Sequence, residues 1–210
     1  MVEDLLSLEQ VGATVDQAVA SALTQLGCSR ADVDVEILRM PTRGFFGFLG
    51  RKPALVRVVL TDRGCVARAI LEHLLSLANL SGSVAVCPGR EVIDLIITSE
   101  ESSLIIGRHG QTLEALQLLT VALTDRLVAD RTRLVIDIDR YRVRRERFLR
   151  QLAGRLSGQV KRSGQPVTTD LLSPDERRII HQALKGDPDI AFRSIGQGFE
   201  RKVFIAACGG

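Results

Sequence analysis

The chain contains no tryptophan and few of the residues on which most catalytic and metal sites depend. Its 210 residues include one tyrosine, seven phenylalanines, three histidines and four cysteines. The cysteines lie far apart, and no two have the spacing of zinc ligands or of a redox-active pair. We therefore expect reduced thiols, no metal site and no thioredoxin-type disulfide. The four are Cys28, Cys65, Cys87 and Cys208.

The sequence also has no long apolar run. None approaches the roughly 20 residues that a membrane-spanning helix needs. The N-terminal segment MVEDLLSLEQ carries acids where a signal peptide requires bases. We therefore expect a cytoplasmic protein without stable membrane insertion. A composition of 45% hydrophobic and 25% charged residues is typical of a globular chain and argues against wholesale disorder.

Recognisable catalytic motifs are missing as well. The chain has no P-loop, no G-x-S-x-G elbow, no H-E-x-x-H motif and no dinucleotide-binding fingerprint. Carboxylates are numerous, but none forms a recognisable pair. The prediction is a protein that is not an enzyme and needs no cofactor. RNA turnover by the pure protein, abolished by one substitution, would restore the enzymatic alternative.

Positive charge is concentrated in the last third of the chain. Residues 1–60 hold 6 bases and 7 acids, residues 61–139 hold 7 and 11, and residues 140–210 hold 15 and 7. The densest stretch, Arg140–Arg162, has nine bases and the single acid Glu146. Such a stripe attracts polyanions such as nucleic acid or acidic lipid, unless it is simply the solvated face of a helix.

Residues 1–60 have the pattern of a small α/β unit. Thr14–Gln17 reads as a helix-capping box, and Gly27 marks the end of that helix. Alternation at Val33–Ile37 and the apolar run Leu55–Leu60 predict strands.

An aromatic, glycine-rich turn joins these two strands. The segment RGFFGFLGRKP contains three glycines and a proline, which indicate a turn, yet it also carries Phe45, Phe46 and Phe48. These side chains either fold back over the sheet or form an exposed patch for a protein partner.

Residues 61–139 predict the order helix, strand, strand, helix, helix, strand. In the first helix, about Gly64–Leu80, His73 falls within the apolar stripe, so we expect a hydrogen-bonded core histidine and not a ligand. A hairpin is predicted around Pro88-Gly89. The apolar face predicted for the long helix is formed by Leu113, Leu116, Leu119, Leu123 and Leu127.

The loop Gly107-Arg108-His109-Gly110 lies directly before that long helix. Glycines at both ends allow a tight turn and close approach of a phosphate to the backbone. The helix adds the N–H groups and positive dipole end of its first turn. Within this element order, G-x-x-G matches a KH domain of the second topological type, whose loop holds single-stranded nucleotides. The alternative is a purely structural turn. The predicted RNA-binding residues are Ile106, Gly107, Arg108, His109 and Gly110.

Residues 140–210 predict a long helix over 140–163, a shorter capped helix and two strands. The apolar stripe predicted for the long helix is Tyr141, Phe148, Leu152 and Leu156. The shorter helix begins at a capping box, Ser173–Glu176, and runs to about Lys185.

A basic face is predicted on that shorter helix. Arg177, His181 and Lys185 are spaced to share one side, with Arg178 close by, and strand residues Arg193 and Arg201 could extend the surface. We predict that these residues bind nucleic acid. The alternative is an ordinary solvated helix face.

With these motifs in place, the sequence resembles the bacterial Jag family, also known as the KhpB or SpoIIIJ-associated proteins. Three segments carry the resemblance: RGFFGFLG at 43–50, IIGRHGQTL at 105–113, and ERRIIH at 176–181 with SIGQG at 194–198. The resemblance implies an α+β protein of three small modules. They are a Jag N-terminal domain over 1–60, a type II KH domain over 61–139, and a basic helix with a C-terminal Arg-x-x-x-His domain over 140–210.

The same resemblance implies a function. A non-catalytic protein that binds single-stranded RNA and regulates bacterial cell elongation and envelope growth is expected. A small single-KH protein is the implied partner, and self-association is left open. The competing hypothesis is an adaptor that acts near the membrane insertion machinery through its Phe-rich N-terminal module.

Overall fold

The computed structural model describes residues 6–42, 52–199 and 201–208. The structure combines helices with small β-sheets, which confirms the predicted α+β class. The chain forms two compact units, residues 1–139 and 140–210. The described strands are β1 Ser7–Gly12, β2 Val33–Arg39, β3 Ala54–Leu60, β4 Ser83–Cys87, β5 Val92–Thr98, β6 Arg133–Ile138, β7 Val167–Thr168, β8 Ile190–Ile195 and β9 Lys202–Ala207. The described helices are α1 Val15–Leu26, α2 Arg63–Leu77, α3 Ser102–Ile106, α4 Gln111–Leu127, α5 Tyr141–Ser163 and α6 Pro174–Leu184.

The first sheet has the strand order β1-β3-β2, with both pairs antiparallel. Thr14 caps the start of helix α1, where its hydroxyl accepts a hydrogen bond from the Gln17 N–H, and Gly27 caps its end in the left-handed region. Strands β2 and β3 and helix α1 were all predicted. Strand β1 was not, because SLEQVG has too few apolar residues to show a clear alternation.

The second sheet has the order β4-β5-β6, antiparallel between β4 and β5 and parallel between β5 and β6. The predicted order of helix, strand, strand, helix, helix, strand is confirmed. Arg63 ties helix α2 to the segment before β6. Its buried guanidinium donates to the carbonyls of Asp130 and Thr132 and pairs with Asp125.

The buried face of helix α2 overlaps the predicted apolar stripe only in part: Val66 and Ile70 are buried, whereas His73 and Leu77 are not. His73 is exposed, and Leu77 is 67% exposed, so the expectation of a core histidine was wrong. The buried positions begin at Arg63, because the helix starts one residue earlier and packs its first turns. They are Arg63, Gly64, Cys65, Val66, Ala67, Ile70, Leu71 and Leu75.

A similar displacement affects helix α4. Leu113 and Leu116 are buried as predicted, but Leu119 and Leu127 are half exposed. Thr120 and Thr124 occupy the buried face instead, and the Thr124 hydroxyl donates to the Thr120 carbonyl.

The first sheet and helix α2 share one buried core. Val58 of the first sheet and Ile70 of α2 belong to one buried cluster. Arg68 of α2 donates to the carbonyls of Leu26 and Gly27, which satisfies the C-terminal end of α1. Helix α2 therefore stabilises both halves of this unit.

The second unit packs α5 and α6 on one face of the sheet β7-β9-β8. The apolar face of α5 lies beside the predicted one. Leu149, not Phe148, is buried, and Phe148 is 43% exposed. The other buried positions of α5 are Ala153, Ser157 and Val160.

No described helix is both long enough and apolar enough to cross a membrane.

Candidate nucleic-acid interface

The G-x-x-G loop connects α3 to α4 and depends on backbone that glycine favours. Gly107, His109 and Gly110 all have positive φ, at 71°, 55° and 88°. Gly110 is the N-cap of α4 and has no side chain with which to cap the helix. The Gly107 N–H donates to the Ser103 carbonyl, which closes α3. The loop therefore turns sharply between two helices, as predicted.

Gly107 also has no room for a side chain. A Cβ there would lie 2.1 Å from the Thr112 Oγ1 and 2.8 Å from the Thr112 Cβ. The loop backbone thus passes close to the first turn of α4. Any other residue would have to displace this turn, which is where the dipole and N–H groups of α4 meet solvent.

The side chains of the loop differ in exposure. Arg108 and His109 are exposed, Ile106 is half-buried, and Gly110 is buried. Ile105 and Leu113 are buried in the core on either side of the loop. The structure thus brings together the five residues predicted here, with two basic side chains at the surface above an apolar base.

The second candidate surface lies along α6. The helix begins with a full capping box, in which Ser173 accepts from the Glu176 N–H and Glu176 accepts from the Ser173 N–H. Pro174 occupies the first helical position, where a missing N–H has no cost. Ile180 and Leu184 are buried, which fixes the polar face of α6 outward.

An open pocket of about 470 Å³ lies between α6 and β8. It brings together Arg177, Arg178, His181 and Lys185, four residues that the sequence placed on one face. The complete lining among the described residues is Pro174, Arg177, Arg178, His181, Gln182, Lys185, Phe192 and Ser194. Cationic side chains on a concave surface suit an anionic group such as a phosphate.

Arg177 is partly committed to the fold. Its Nη1 donates to the carbonyls of Leu172 and Phe199, at 2.8 and 2.9 Å. These bonds join the start of α6 to the turn between β8 and β9. Arg178, in contrast, is exposed, and its contact with Asp175 at 3.6 Å is a surface pair that contributes little.

His181 is held by two strand residues. Its Nε2 lies 3.3 Å from the Ser194 hydroxyl, and its ring centroid lies 5.0 Å from that of Phe192. Burial lowers the pKa of His181, and the nearby positive charge of Arg177 lowers it further. The imidazole is therefore neutral at pH 7, and it can become charged when an anion occupies the pocket.

The two arginines predicted to extend this surface lie elsewhere. Because side chains alternate along a strand, Phe192 and Ser194 face the pocket while Arg193 points to the opposite face of the sheet. There its guanidinium lies over the Phe204 ring, 5.4 Å from the centroid. Arg201 is exposed in the β8–β9 turn and donates to the Gly198 carbonyl. Neither lines the pocket.

Four pocket residues were not among the predicted binding residues: Pro174, Gln182, Phe192 and Ser194. Phe192 could have been found from the alternation of β8, which places it beside Ser194 on the face toward α6. Phe45, Phe46 and Phe48, the predicted partner-binding residues, lie outside the described residues.

Comparison with known proteins identifies both ends of the chain. A family model of the Jag N-terminus matches residues 11–60. A model of the domain named for its Arg-x-x-x-His motif matches residues 147–207.

Full-length relatives align over most of the chain. The "RNA-binding protein KhpB" of Bacillus subtilis (strain 168) is 32% identical over 198 residues, which cover 93% of this chain and 95% of the relative. The protein of the same name from Clostridium symbiosum is 32% identical over 199 residues, covering 92% and 88%. That of Lactiplantibacillus plantarum is 30% identical over 159 residues, covering 74% and 49%. The chain therefore belongs to the Jag family, whose members are also called KhpB.

Proposed function

We propose that this chain is a non-catalytic protein that binds single-stranded RNA. The observation that carries the proposal is the loop at 107–110, where a tight glycine backbone and two exposed basic side chains meet the first turn of α4. This is the arrangement that holds the backbone of unpaired nucleotides in KH domains. The relatives' name, RNA-binding protein, supports it.

The α6 pocket supplies the second contact in this proposal. Arg178 and Lys185 bring positive charge to its rim, and His181 adds a donor that an anion can charge. Two modest sites on one chain raise the overall affinity, because binding at one increases the local RNA concentration at the other. Phosphate contacts dominate at both sites, so we expect a weak sequence preference.

The proposal is tested by equilibrium binding of a labelled, unstructured RNA, compared with duplex RNA of the same sequence. We expect tighter binding of the single strand and a Kd that rises with salt concentration. R108A should weaken binding. R126A is the matched control, since it removes the same charge from the far end of α4, roughly 25 Å away. Equal binding of both RNAs, or equal effects of both substitutions, would contradict a loop-centred site.

The same titrations test the absence of catalysis. RNA recovered after saturation should be intact on a denaturing gel. Cleavage that persists in repurified protein and disappears with one substitution would show an enzyme instead.

The finer part of the proposal concerns cellular role. We propose that the protein acts in the cytoplasm as a regulator of RNAs connected with cell elongation and envelope growth, together with a small single-KH protein. Cells whose chromosomal copy carries R108A should then show altered length at unchanged protein level. Normal length in cells whose protein has lost RNA affinity would separate RNA binding from that role.

An adaptor role is the second candidate, and one observation favours it. Among the described strands, β2 lies at an edge of its sheet. A groove between β2 and α1 is lined mainly by apolar side chains such as Val19 and Leu23, with Asp16 and Arg30 also in the lining. Ile37 on β2 is 47% exposed and lines the same groove. An edge strand beside an apolar groove accepts an extended peptide. I37D should lose such a partner and keep RNA affinity, whereas equal loss of RNA binding in the folded variant would contradict this division.

A further inference from the structure

Helix α5 carries an exposed aromatic ring in the most basic part of the chain. Phe148 is 43% exposed, although the core of its unit is filled by the neighbouring Leu149. Residues 141–163 hold eight bases and one acid. Packing within the unit thus leaves a large apolar ring in contact with solvent, surrounded by positive charge.

Two guanidinium groups lie against this ring. The Cζ of Arg145 is 5.4 Å from the ring centroid, and that of Arg155 is 5.9 Å away. These are cation–π distances. One group comes from the preceding turn of the helix and the other from two turns beyond.

The two guanidiniums differ in how firmly they are held. Arg145 is ion-paired with Glu176 at 2.7 Å, and both side chains are mostly buried. Arg155 makes no ion pair within the described part of the chain. The guanidinium of Arg145 is therefore fixed against the ring, whereas that of Arg155 can rotate away from the ring to bind a phosphate.

We propose that Phe148 and Arg155 form a stacking site for one unpaired base of a bound RNA. The site is distinct from the G-x-x-G loop and from the α6 pocket, neither of which includes Phe148. Single-stranded nucleic acids are held by aromatic rings that stack on bases and by basic side chains that follow the phosphates. The inference rests on the RNA binding proposed above.

Charge decides between RNA and a protein partner at this ring. Arg147 and Arg162 are exposed on the same helix and make no ion pair with described residues. An RNA strand that runs along the helix gains from each of these charges, whereas an apolar protein segment seated on the ring would have to desolvate the nearer one. The ring alone would suit either ligand, but its surroundings match a nucleic acid.

The absence of tryptophan allows a direct test. In F148W the new indole is the single tryptophan, and stacking of a base on it quenches its emission. We expect quenching that saturates together with binding of an unstructured RNA of about 12 nucleotides, at an affinity close to that of the wild type.

The companion variant is F148A. It should weaken binding by about 5- to 100-fold, the range for loss of one base–aromatic stack, with an unchanged slope of log Kd against log salt. V143A is the matched control, because Val143 is an exposed apolar residue of the same helix, and it should bind as the wild type does. A sugar–phosphate strand of equal length without bases should bind the wild type and F148A equally.

The outcomes separate the two proposals. Wild-type binding of RNA that F148A leaves unchanged, or saturation of F148W without quenching, would overturn the stacking site and leave RNA binding in place. That result would favour a protein ligand for Phe148 over an RNA base. Absence of RNA binding by the folded wild type would overturn both.

Discussion

The two predicted RNA-binding sites are held in position by different parts of the chain. At the G-x-x-G loop, position is set by the backbone: Gly107 and Gly110 adopt positive φ, and the side chains of Arg108 and His109 are exposed. At the α6 pocket, position is set by side chains: Arg177 is bonded to two carbonyls, and His181 rests on Phe192 and Ser194.

The two sites should therefore be sensitive to different substitutions. A binding surface held by backbone geometry loses its shape when a glycine is replaced. A change in one of its exposed side chains lowers RNA affinity only by the contribution of that side chain's charge. A surface held by side-chain contacts fails when an anchoring residue is removed, even if that residue never meets the ligand. Substitutions can therefore distinguish a residue that anchors the surface from one that contacts RNA.

The largest effect is expected for G107A. The substitution introduces a Cβ within 2.1 Å of the Thr112 hydroxyl at a φ of 71°, so the loop and the first turn of α4 must move apart. We expect the free energy of unfolding to fall by about 1–3 kcal/mol, and RNA affinity to fall at least about tenfold. Denaturant titration and anisotropy measure the two effects.

Gly154 provides the control for glycine replacement. It lies inside α5, and a Cβ there would meet nothing within 4 Å beyond the adjoining helix backbone. G154A should therefore leave stability unchanged or raise it by about 0.5–1 kcal/mol, because alanine favours the helix. Similar unfolding curves for G107A and the wild type would refute a backbone-built loop.

The second prediction separates two adjacent arginines of the pocket. R177A removes two hydrogen bonds from a charged donor, so we expect stability to fall by about 1–2 kcal/mol. R178A should change stability by no more than about 0.5 kcal/mol and should lower RNA affinity with a shallower salt dependence. Equal stability of the two variants in thermal or chemical unfolding would count against the anchoring role of Arg177.

The smallest effect is expected from pH. Because the pKa of His181 is lowered, its imidazole is neutral near pH 7 when the pocket is free. A bound phosphate favours the protonated ring. Binding then takes up a proton, so affinity should rise a few-fold between about pH 7.5 and about pH 5.5. Arg177, Arg178 and Lys185 line the same pocket, and no acid is among its described lining residues. Anisotropy with a uridine-only RNA measures the change.

H181Q should abolish that rise. The stability of the free protein should change in the opposite direction. Since the folded pKa lies below the unfolded value of about 6.5, protonation favours the unfolded state. The stability contributed by neutral His181 is present above that pH and is lost as the pH falls toward the folded pKa. An affinity that rises equally in H181Q would assign the pH dependence to another group.

Much of the fold could be predicted because its signals are local. The helix caps at Thr14, Gly27 and Ser173 each satisfy nearby backbone groups, and all three appear where expected. The exact buried face of each long helix could not be predicted. In α5, for example, several neighbouring arcs of the helix surface contain apolar residues. Only packing against the sheet selects Leu149 over Phe148.

The same limit applies to the sites. The loop and the polar face of α6 follow from spacing along one element, so their residues come together as predicted. The strand residues required the register between α6 and β8, and Arg193 consequently lies on the other face of its sheet. The hydrogen bonds that anchor Arg177 also join segments distant in sequence, and the periodicity of a single helix does not predict such contacts.

The most direct test of the account is the anisotropy of one labelled single-stranded RNA, titrated at several salt concentrations. The proteins are the wild type, R108D/H109D and R178E/K185E. Aspartate tolerates the left-handed backbone of His109, and Arg178 and Lys185 are exposed, so both variants should remain folded by circular dichroism. We expect weaker binding and a shallower salt slope in each variant. Binding by both variants with the affinity and slope of the wild type would contradict it.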